Sequence, residues 1–248
     1  MISIIELTSF LKDAFVKAHF SCAVIALSGG IDSSTSCALA VAALGKNNVY
    51  PLLLPFGKLN PTRDAEMVMK YLKIPKINVT NINIRGLVDP IINLDPSMDQ
   101  IRRGNIMARV RMTILFDYTK KYNALVVGTE NKTEHLLGYF TRFGNEASDI
   151  EPLRNLYKTQ VYKLARLLQL PDIILTKAPT AGLWEGQTDE KEFGFGYKEA
   201  DEILPLLVDE KKSIEEVVGK GYNQATVEKV VKRMKKNDFK HHLPIVAP

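Results

Sequence analysis

A glycine-rich turn with one carboxylate is the first part of the sequence that could do chemistry. It consists of Ser28, Gly29, Gly30, Ile31, Asp32 and Ser33. The turn follows an apolar run over 22–27 with the length of a buried strand, and it precedes small residues and helix formers over 32–44. Glycines let the backbone approach a ligand, and the first amides of a helix attract negative charge. The pattern predicts a turn that binds an anion, with phosphate as its natural guest.

Asp32 is the unusual member of this turn, because a carboxylate repels a bound anion unless a cation lies between them. We therefore expect Asp32 to hold Mg²⁺, which binds through carboxylates together with substrate phosphates. The Walker A pattern, whose lysine binds the β and γ phosphates of ATP, does not occur in the sequence. By themselves, the same residues could also form a tight turn in which Asp32 caps the helix.

Strands and helices alternate around this turn. The sequence predicts strands over 22–27, 49–54, 77–84 and 124–127, and helices over 32–44, 61–72, 103–122 and 158–170. Such alternation indicates right-handed βαβ units in an α/β fold, a Rossmann-like, doubly wound parallel sheet flanked by helices. Extra C-terminal helices are predicted over 198–207, 213–218 and 225–236. Segments 85–100 and 176–196 fit neither pattern, and we expect the glycine-rich second segment to be a loop that closes over a ligand.

The composition describes an ordinary globular protein. Of 248 residues, 46% are hydrophobic and 25% are charged, which excludes a wholly disordered, collagen-like or disulfide-scaffold protein. No apolar run approaches the about 18 residues of a membrane span, and residues 1–20 lack a signal-peptide core. Cys22 and Cys37 form no metal-binding pattern and are predicted to be packing residues. We expect one domain over 1–248, in the cytoplasm, and the net charge of +5 suits phosphate-bearing small molecules as well as nucleic acid.

Six further motifs accompany the turn in a fixed order. They are GNIMARVRM from residue 104, GTENKTE from 128, GYFTRFGN from 138, DIEPL from 149, YKTQ from 157 and KAPTAGL from 177. The turn resembles the S-G-G-x-D-S loop of the N-type ATP pyrophosphatases, the adenine nucleotide α-hydrolase-like superfamily. Together, the later motifs resemble the ammonia-dependent NAD⁺ synthetase family, and the resemblance extends from about residue 20 to the C-terminus.

This resemblance implies a reaction and a set of site residues. ATP would adenylate deamido-NAD⁺ (nicotinic acid adenine dinucleotide), and ammonia would convert the adenylate into NAD⁺, with AMP and pyrophosphate as the other products. Asp32, Lys158 and Asp149 would be catalytic, and Asp32 and Glu134 would bind Mg²⁺. The implied ATP contacts are Ala26, Leu27, Ser28, Gly29, Gly30, Ile31, Asp32, Ser33, Thr129, Lys158 and Thr180, and the implied dinucleotide contacts are Arg109, Arg142, Asp149 and Lys240.

The resemblance also implies a homodimer that binds neither nucleic acid nor membranes. Without a glutaminase domain, the nitrogen source would be free ammonia. Three positions depart from the family pattern: Arg142 replaces a common lysine, Asn145 a frequent aspartate, and Phe239 a histidine of the tail motif over 239–244. An acid–base role at position 145 is therefore not expected, and Asp149 stays a candidate.

Two other functions remain open at this point. A tRNA-modifying ATP pyrophosphatase would use the basic helix over 225–236 to bind RNA. A non-catalytic nucleotide-binding module would not need both Asp32 and Glu134. Turnover of ATP to AMP that depends on deamido-NAD⁺ and ammonia distinguishes the three functions.

Overall fold

The computed structural model describes residues 3–242, and a parallel sheet runs through their centre. Its strands are β1 (Cys22–Ala26), β2 (Val49–Leu53), β3 (Thr80–Asn81) and β4 (Ala124–Val126), in the order β3-β2-β1-β4. Each neighbouring pair is parallel. The α/β class with a parallel sheet flanked by helices is therefore confirmed. Leu243 and Pro244 of the predicted tail motif lie outside the described residues.

Helices connect the strands and extend the chain beyond the sheet. They are α1 (Ile4–Lys17), α2 (Ile31–Leu44), α3 (Arg63–Tyr71), α4 (Arg85–Ile92), α5 (Gln100–Tyr122), α6 (Lys132–Leu136), α7 (Lys158–Leu167), α8 (Asp172–Thr176), α9 (Asp189–Phe193), α10 (Tyr197–Leu204), α11 (Ile214–Gly219) and α12 (Gln224–Asn237). A π-helical turn over Pro205–Asp209 follows α10. The predicted C-terminal helices are confirmed, and α11 has the predicted capping box of Ser213 and Glu216.

The sheet separates two apolar cores, because successive strand residues point to opposite faces. Ala23 and Ile25 of β1 pack into a core with α1, α2, α3 and α7, whereas Val24 packs into a second core with α4 and α5. All three side chains are fully buried. This explains why the β1 sequence is continuously apolar rather than alternating.

Two sequence predictions about these elements differ from the structure, and one helix was not predicted. The strand expected over 77–84 is regular only at Thr80–Asn81, although the backbone N–H groups of Ile82 and Ile84 still donate to the carbonyls of Leu53 and Pro55, and a 3-10 turn over Lys76–Asn78 precedes it. The segment 85–100 is not irregular throughout, since α4 forms despite Pro90 within it. Helix α1 was not predicted, although Ser3 and Glu6 form a capping box at its start and Leu7, Leu11 and Phe15 repeat every four residues on its buried face.

The glycine-rich segment 176–196 is only partly a loop. Residues 177–188 contain neither helix nor strand in the structure, and they form what we call the 177–188 loop. The next residues form α9, whose Asp189 and Phe193 are buried. Phe195 is also buried, in a third apolar core with α10, α11 and α12. No helix among residues 3–242 is long and apolar enough to cross a membrane.

Candidate active site

The glycine-rich turn lies at the carboxyl end of β1, between β2 and β4. The helices that follow β1 and β2 pack on one face of the sheet, and those that precede β4 pack on the other. The change of face makes this edge a topological switch point, where ligands of open α/β sheets bind. Gly29 has a φ of +76°, and a Cβ there would lie 2.6 Å from the Cβ of Asp64. Only glycine lets the turn and the start of α3 approach so closely.

Lys158 joins two carboxylates beside this turn. Its Nζ donates to Oδ2 of Asp32 at 2.6 Å and to Oε1 of Glu134 at 2.7 Å. The three side chains come from the starts of α7, α2 and α6, and we call them the Lys158 cluster. The lysine side chain is 2% exposed, whereas those of Asp32 and Glu134 are 17% and 16% exposed. The structure thus brings together residues separated by up to 126 positions in the sequence.

Opposite effects act on the protonation of this cluster. Burial disfavours the charged form of Lys158, but Asp32 and Glu134 outweigh burial and raise the pKa of the ammonium above its usual range. Burial also raises the pKa of the Glu134 carboxyl, while Lys158 opposes that shift. Lys158 is therefore a permanent hydrogen-bond donor rather than a base. With both carboxylates ionised, the cluster keeps one negative charge for a further cation to neutralise.

Asn131 connects the two carboxylates of the cluster, a role that sequence analysis missed. Its amide Nδ2 donates to Oδ1 of Asp32 at 2.8 Å, and its Oδ1 accepts the backbone N–H of Glu134 at 3.0 Å. Asn131 is the N-cap of α6 and is fully buried. The Asn-x-x-Glu spacing is typical of a helix N-cap and could have predicted the bond to Glu134, but the contact with Asp32 depends on the fold.

The 177–188 loop is tied to the cluster through Asp189, which sequence analysis also missed. The hydroxyl of Tyr197 donates to Oδ2 of Asp189 at 2.8 Å and lies 3.2 Å from Oε1 of Glu134. The other oxygen of Asp189 accepts from the Tyr139 hydroxyl at 2.9 Å and from the Ala181 amide at 3.1 Å. Burial raises the pKa of Asp189, which these hydrogen bonds and Lys158 oppose. One buried carboxylate thus links the loop to the metal-ligand candidate Glu134.

Thr180 and Thr129, two predicted ATP contacts, lie outside the Lys158 cluster. Within the described residues, the Thr180 hydroxyl donates to the carbonyl of Gln187 at 2.8 Å, so it stabilises the loop itself. Thr129 follows Gly128 at the end of β4. A Cβ at Gly128 would lie 2.0 Å from Oε1 of Glu151, which explains the glycine before Thr129.

Three of the four predicted dinucleotide contacts, Arg109, Arg142 and Lys240, gather around 138–142 and the tail, and Asp149 lies against β4. Nη2 of Arg109 donates to the Arg142 carbonyl at 3.3 Å, and Nζ of Lys240 donates to the carbonyls of Gly138 at 2.7 Å and Phe140 at 2.9 Å. Asp149 accepts the Val126 amide at 2.7 Å. Within residues 3–242, the hydrogen bonds of these predicted residues go to this region and to neighbouring backbone rather than to the Lys158 cluster.

Asn145, one of the departures from the family pattern, has a structural contact. Its Oδ1 accepts the backbone N–H of Thr141 at 2.9 Å, so the side chain closes the turn that carries Arg142. A neutral amide performs this role as well as a carboxylate does. The contact is consistent with the expectation that position 145 does not exchange protons here.

A second cluster of charged side chains is formed by residues that follow β4 in the chain. Nη2 of Arg154 lies 2.9 Å from Oε2 of Glu130 and 3.8 Å from Oε1 of Glu151, and its Nη1 lies 2.8 Å from Nδ1 of His135. We call these four residues the Arg154 cluster. Burial raises the pKa values of Glu130 and Glu151 to about 7, and burial and Arg154 lower the pKa of His135 to about 4. Sequence analysis did not predict this cluster.

The comparisons with known proteins agree on one family. The family model described as NAD synthase matches residues 3–244. The chain is 46% identical to the NH(3)-dependent NAD(+) synthetase of Fusobacterium nucleatum, over 98% of this chain and 93% of that one. It is also 46% identical to the NH(3)-dependent NAD(+) synthetase of Pyrococcus furiosus, over 90% and 86% of the two chains.

Solved structures give the same picture. The NH3-dependent NAD synthetase of Campylobacter jejuni, in complex with the nitrate ion, has a TM-score of 0.83 and 30% identity, covering 99% of this chain and 97% of that one. The NMN synthetase of Francisella tularensis has a TM-score of 0.85 and 34% identity, covering 98% and 96% of the two chains. The similarity therefore includes proteins named for a dinucleotide product and for a mononucleotide product.

Proposed function

The chain belongs to the NAD synthase family, and we propose that it joins ammonia to the nicotinate carboxyl of deamido-NAD⁺ in a reaction driven by ATP. Such an enzyme is a ligase that forms a carbon–nitrogen bond and releases AMP and pyrophosphate. We propose that residues 1–248 act as one synthetase domain in the cytoplasm, with free ammonia as the nitrogen source. The Lys158 cluster beside the glycine-rich turn is the observation that carries the proposal.

In this proposal the turn holds the phosphates of ATP. Helix α2 begins at Ile31 after Gly30, which has no side chain to accept the first helical amides. These amides are therefore available to phosphate oxygens, and the dipole of a 14-residue helix supports them. The Ser28 and Ser33 hydroxyls lie 3.0 Å apart and brace the turn from within. The full proposed ATP set is Ala26, Leu27, Ser28, Gly29, Gly30, Ile31, Asp32, Ser33, Thr129, Lys158 and Thr180.

Lys158 would stabilise the charge that develops on the phosphates. An oxygen of the nicotinate carboxylate attacks the α-phosphorus, the bond to the bridging oxygen of the β-phosphate breaks, and pyrophosphate leaves with the electron pair. A buried ammonium with a raised pKa stays protonated through this step and donates to phosphate oxygens. Ammonia then attacks the carbonyl carbon of the adenylate, AMP leaves with the electron pair of the broken C–O bond, and the nitrogen releases one proton to solvent.

Asp32 and Glu134 would hold Mg²⁺. Their exposed fractions leave carboxylate oxygens accessible, and when both carboxylates are ionised the cluster carries one net negative charge that a cation would balance. Within residues 3–242 there is no group of three or more histidine, cysteine, aspartate or glutamate side chains placed so that it could hold a metal ion. A pair of carboxylates suits Mg²⁺, which completes its coordination with water and substrate phosphates. When bound, the ion would neutralise phosphate charge and favour departure of pyrophosphate.

We propose that Arg109, Arg142, Asp149 and Lys240 bind the dinucleotide, and that the enzyme is a homodimer. Four apolar side chains along α4 and at the start of α5 are well exposed, and such a patch suits a subunit interface. They are Leu87 at 52%, Ile91 at 40%, Leu94 at 81% and Ile101 at 65%.

A role in RNA binding is less well supported. The Arg233 guanidinium of the basic helix α12 lies 4.5 Å from the centre of the Phe193 ring and thus contributes to packing.

A substrate-omission assay tests this function. AMP, pyrophosphate and the amidated product would be measured with ATP, ammonium and deamido-NAD⁺, omitting each in turn. We expect all three products only in the complete mixture. Glutamine replaces ammonium in one arm, and nicotinic acid mononucleotide replaces the dinucleotide in another, because of the similarity to an NMN synthetase. Formation of ADP and orthophosphate, or no ATP turnover with either acid, would refute the proposal.

Asp32→Asn is the matching test of the site. The variant keeps the size of the side chain but removes the charge that faces Lys158 at 2.6 Å. We expect adenylate formation to fall by about 100-fold or more, as for the loss of one key electrostatic group, with little change in melting temperature. Asp13→Asn, on the exposed face of α1, is the control and should retain full turnover. Unchanged turnover of Asp32→Asn would remove the metal assignment.

A further inference from the structure

Asp201 lies on α10, behind the Lys158 cluster, and it has no part in the chemistry described so far. It is 9% exposed, and it contacts the two helices that carry Lys158 and Glu134. We propose that Asp201 is a positioning residue that fixes the separation of Lys158 and Glu134, acting through Thr133. This inference rests on the proposed function for its kinetic consequences, but its structural consequence can be measured separately.

The two contacts of Asp201 reach the sequence neighbours of the two site residues. Its Oδ1 accepts the hydroxyl proton of Thr133, which precedes Glu134, at 2.5 Å. Its Oδ2 accepts the backbone N–H of Thr159, which follows Lys158, at 2.6 Å. One rigid carboxylate thus spans the starts of α6 and α7. The 2.7 Å contact between Lys158 Nζ and Glu134 Oε1 depends on how these two helix starts are placed.

Thr133 transmits this placement directly to Lys158. The Thr133 side chain is fully buried, and its Oγ1 accepts the backbone N–H of Lys158 at 2.9 Å. A hydroxyl has a single proton, so donation to Asp201 leaves its lone pairs free for the amide of Lys158. An ionised Asp201 can only accept, and it therefore fixes the direction of this hydrogen bond. If the Thr133 hydroxyl proton pointed toward Lys158 instead, the backbone N–H of Lys158 would have no acceptor.

The start of α7 needs these acceptors because its own capping residue does not supply them. Tyr157 is the N-cap, and within the described residues its side chain makes no cap hydrogen bond. The amides of Lys158 and Thr159 are instead capped by Thr133 and Asp201, from two other helices. A carboxylate is also the group that a helix N-terminus favours electrostatically. Loss of the cap would leave buried donors unpaired and let the first turn of α7 shift.

Asp201 does not act on the substrate directly. The hydrogen bonds of the Lys158 ammonium go to Asp32 and Glu134, and those of Asp201 go to the two threonines. A change at Thr133 should therefore alter the rate of the chemical step more than the binding of substrates. A displacement of about 1 Å at a reacting group can reduce turnover by about 100-fold.

The experiment compares three single substitutions. Thr133→Val removes both hydrogen bonds and keeps the shape, Thr133→Ser keeps both, and Asp201→Asn replaces one acceptor oxygen with a donor. We expect kcat to fall by about 10- to 100-fold in Thr133→Val and Asp201→Asn, with each KM changed less than about threefold. Thr133→Ser should stay within about twofold of the natural protein, since it keeps the hydroxyl.

A matched control separates positioning from loss of stability. The buried amide of Asn78 donates to the carbonyls of Asn47 and Val49 at 2.9 and 3.2 Å, near the start of β2 and thus at the other end of the sheet. Asn78→Ala should lower the melting temperature as much as Thr133→Val and leave kcat unchanged. Equal kcat in Thr133→Val and Thr133→Ser, or an equal loss in Asn78→Ala, would overturn the proposal.

A spectroscopic measurement tests the same inference without any assay. The ammonium of a buried, ion-paired lysine exchanges slowly, and a ¹⁵N NMR signal that disappears in Lys158→Arg identifies it. We expect this signal to persist in Thr133→Ser and Asn78→Ala, and to shift or vanish in Thr133→Val and Asp201→Asn. An unchanged signal in Thr133→Val would refute the positioning role. If the natural protein proved inactive, only the proposed function would fail, and the NMR result would still decide the role of Asp201.

Discussion

The Lys158 cluster and the Arg154 cluster each contain two carboxylates around one cation. They differ in which charge is exposed. In the Lys158 cluster the cation is 2% exposed, and Asp32 and Glu134 are about eight times more exposed, at 17% and 16%. In the Arg154 cluster the side chains of Glu130 and Glu151 are 1% and 12% exposed, and that of the arginine is 28% exposed. The first cluster therefore exposes its carboxylates more than its cation, and the second exposes its cation more than its carboxylates.

The hydrogen bonds of the two clusters differ in the same way. Lys158 donates to both of its carboxylates at 2.7 Å or less, and Asn131 satisfies a further oxygen of Asp32. In the Arg154 cluster, both oxygens of Glu130 and Nε of Arg154 are buried without a well-aligned hydrogen bond among the described residues, although the charges lie 2.9 Å apart. Composition alone does not distinguish a functional cluster from a structural one. The exposure of the carboxylates relative to the cation does.

Removal of Lys158 should have the largest effect. Lys158→Met takes away the cation, so two carboxylates face each other and, under the proposed function, phosphate charge in the transition state loses a donor. We expect turnover to fall by about 1,000-fold, equivalent to about 4 kcal/mol in the activation free energy. Steady-state AMP formation measures the loss. Lys163→Met, on the exposed face of the same helix, is the control and should change turnover less than about twofold.

A loss below about tenfold in Lys158→Met would show that the Lys158 cluster is structural, like the Arg154 cluster. The comparison between the two clusters would then fail at its central point. A loss in the Lys163→Met control as large as that in Lys158→Met would instead indicate a general effect of positive charge on α7.

Removal of Arg154 should affect stability rather than turnover. Arg154→Met leaves Glu130 and Glu151 buried without their cation, and breaking a buried pair in this way costs about 3 kcal/mol. We expect the free energy of unfolding at pH 8 to fall by about that amount, measured by urea titration, with turnover per folded molecule within about threefold. Arg166→Met, exposed on α7, is the control and should change stability by less than about 0.5 kcal/mol.

A fall in turnover without a fall in stability would contradict the structural role of Arg154. The loss of stability should also shrink below pH 7, where Glu130 and Glu151 become protonated and need a cation less. A loss that did not depend on pH would mean that shape, rather than charge, is what Arg154 contributes.

Much of the fold and part of the site could be predicted from the sequence, because the signals are local. The buried strand, the two glycines and Asp32 lie within a dozen consecutive residues, and the parallel sheet follows from alternation. Lys158 and Glu134 were identified only through motifs shared with a family. Their meeting could not be derived from spacing, because 24 residues separate them in the chain.

The contacts that escaped prediction join distant parts of the chain. Asp201 reaches Thr133 across 68 residues, and Asp189 and Tyr139 meet across 50. A single aspartate in a helix has the same sequence signature whether it is solvated or buried, so neither residue could be distinguished from its exposed neighbours. The length of strand β3 was overestimated for a related reason. Its pattern is that of a strand, but the side chain of Asn78 binds backbone atoms of Asn47 and Val49 and a 3-10 turn replaces the start.

Glu130→Gln gives the most specific effect, because it changes only how stability depends on pH. Burial raises the pKa of Glu130 from 4.5 to about 7, so the folded protein binds a proton here more tightly than the unfolded chain does. The stability contributed by this proton is complete below about pH 4.5 and is lost as the pH rises through about 7. Urea titrations of both proteins between pH 4.5 and 8 should therefore show the natural protein losing about 3 kcal/mol relative to Glu130→Gln.

The difference between the two proteins isolates Glu130 from the groups that face it. His135 has the opposite slope, since its lowered pKa makes stability rise with pH between about 4 and 6.5, but it is present in both proteins. Arg154, Lys240 and Glu146 also remain and act on either side chain. Glu202→Gln, exposed on α10, should give a curve parallel to that of the natural protein. The curve of Glu130→Gln could also prove parallel to that of the natural protein. Glu130 would then be ionised throughout this pH range, and the Arg154 cluster would be as fully paired as the Lys158 cluster.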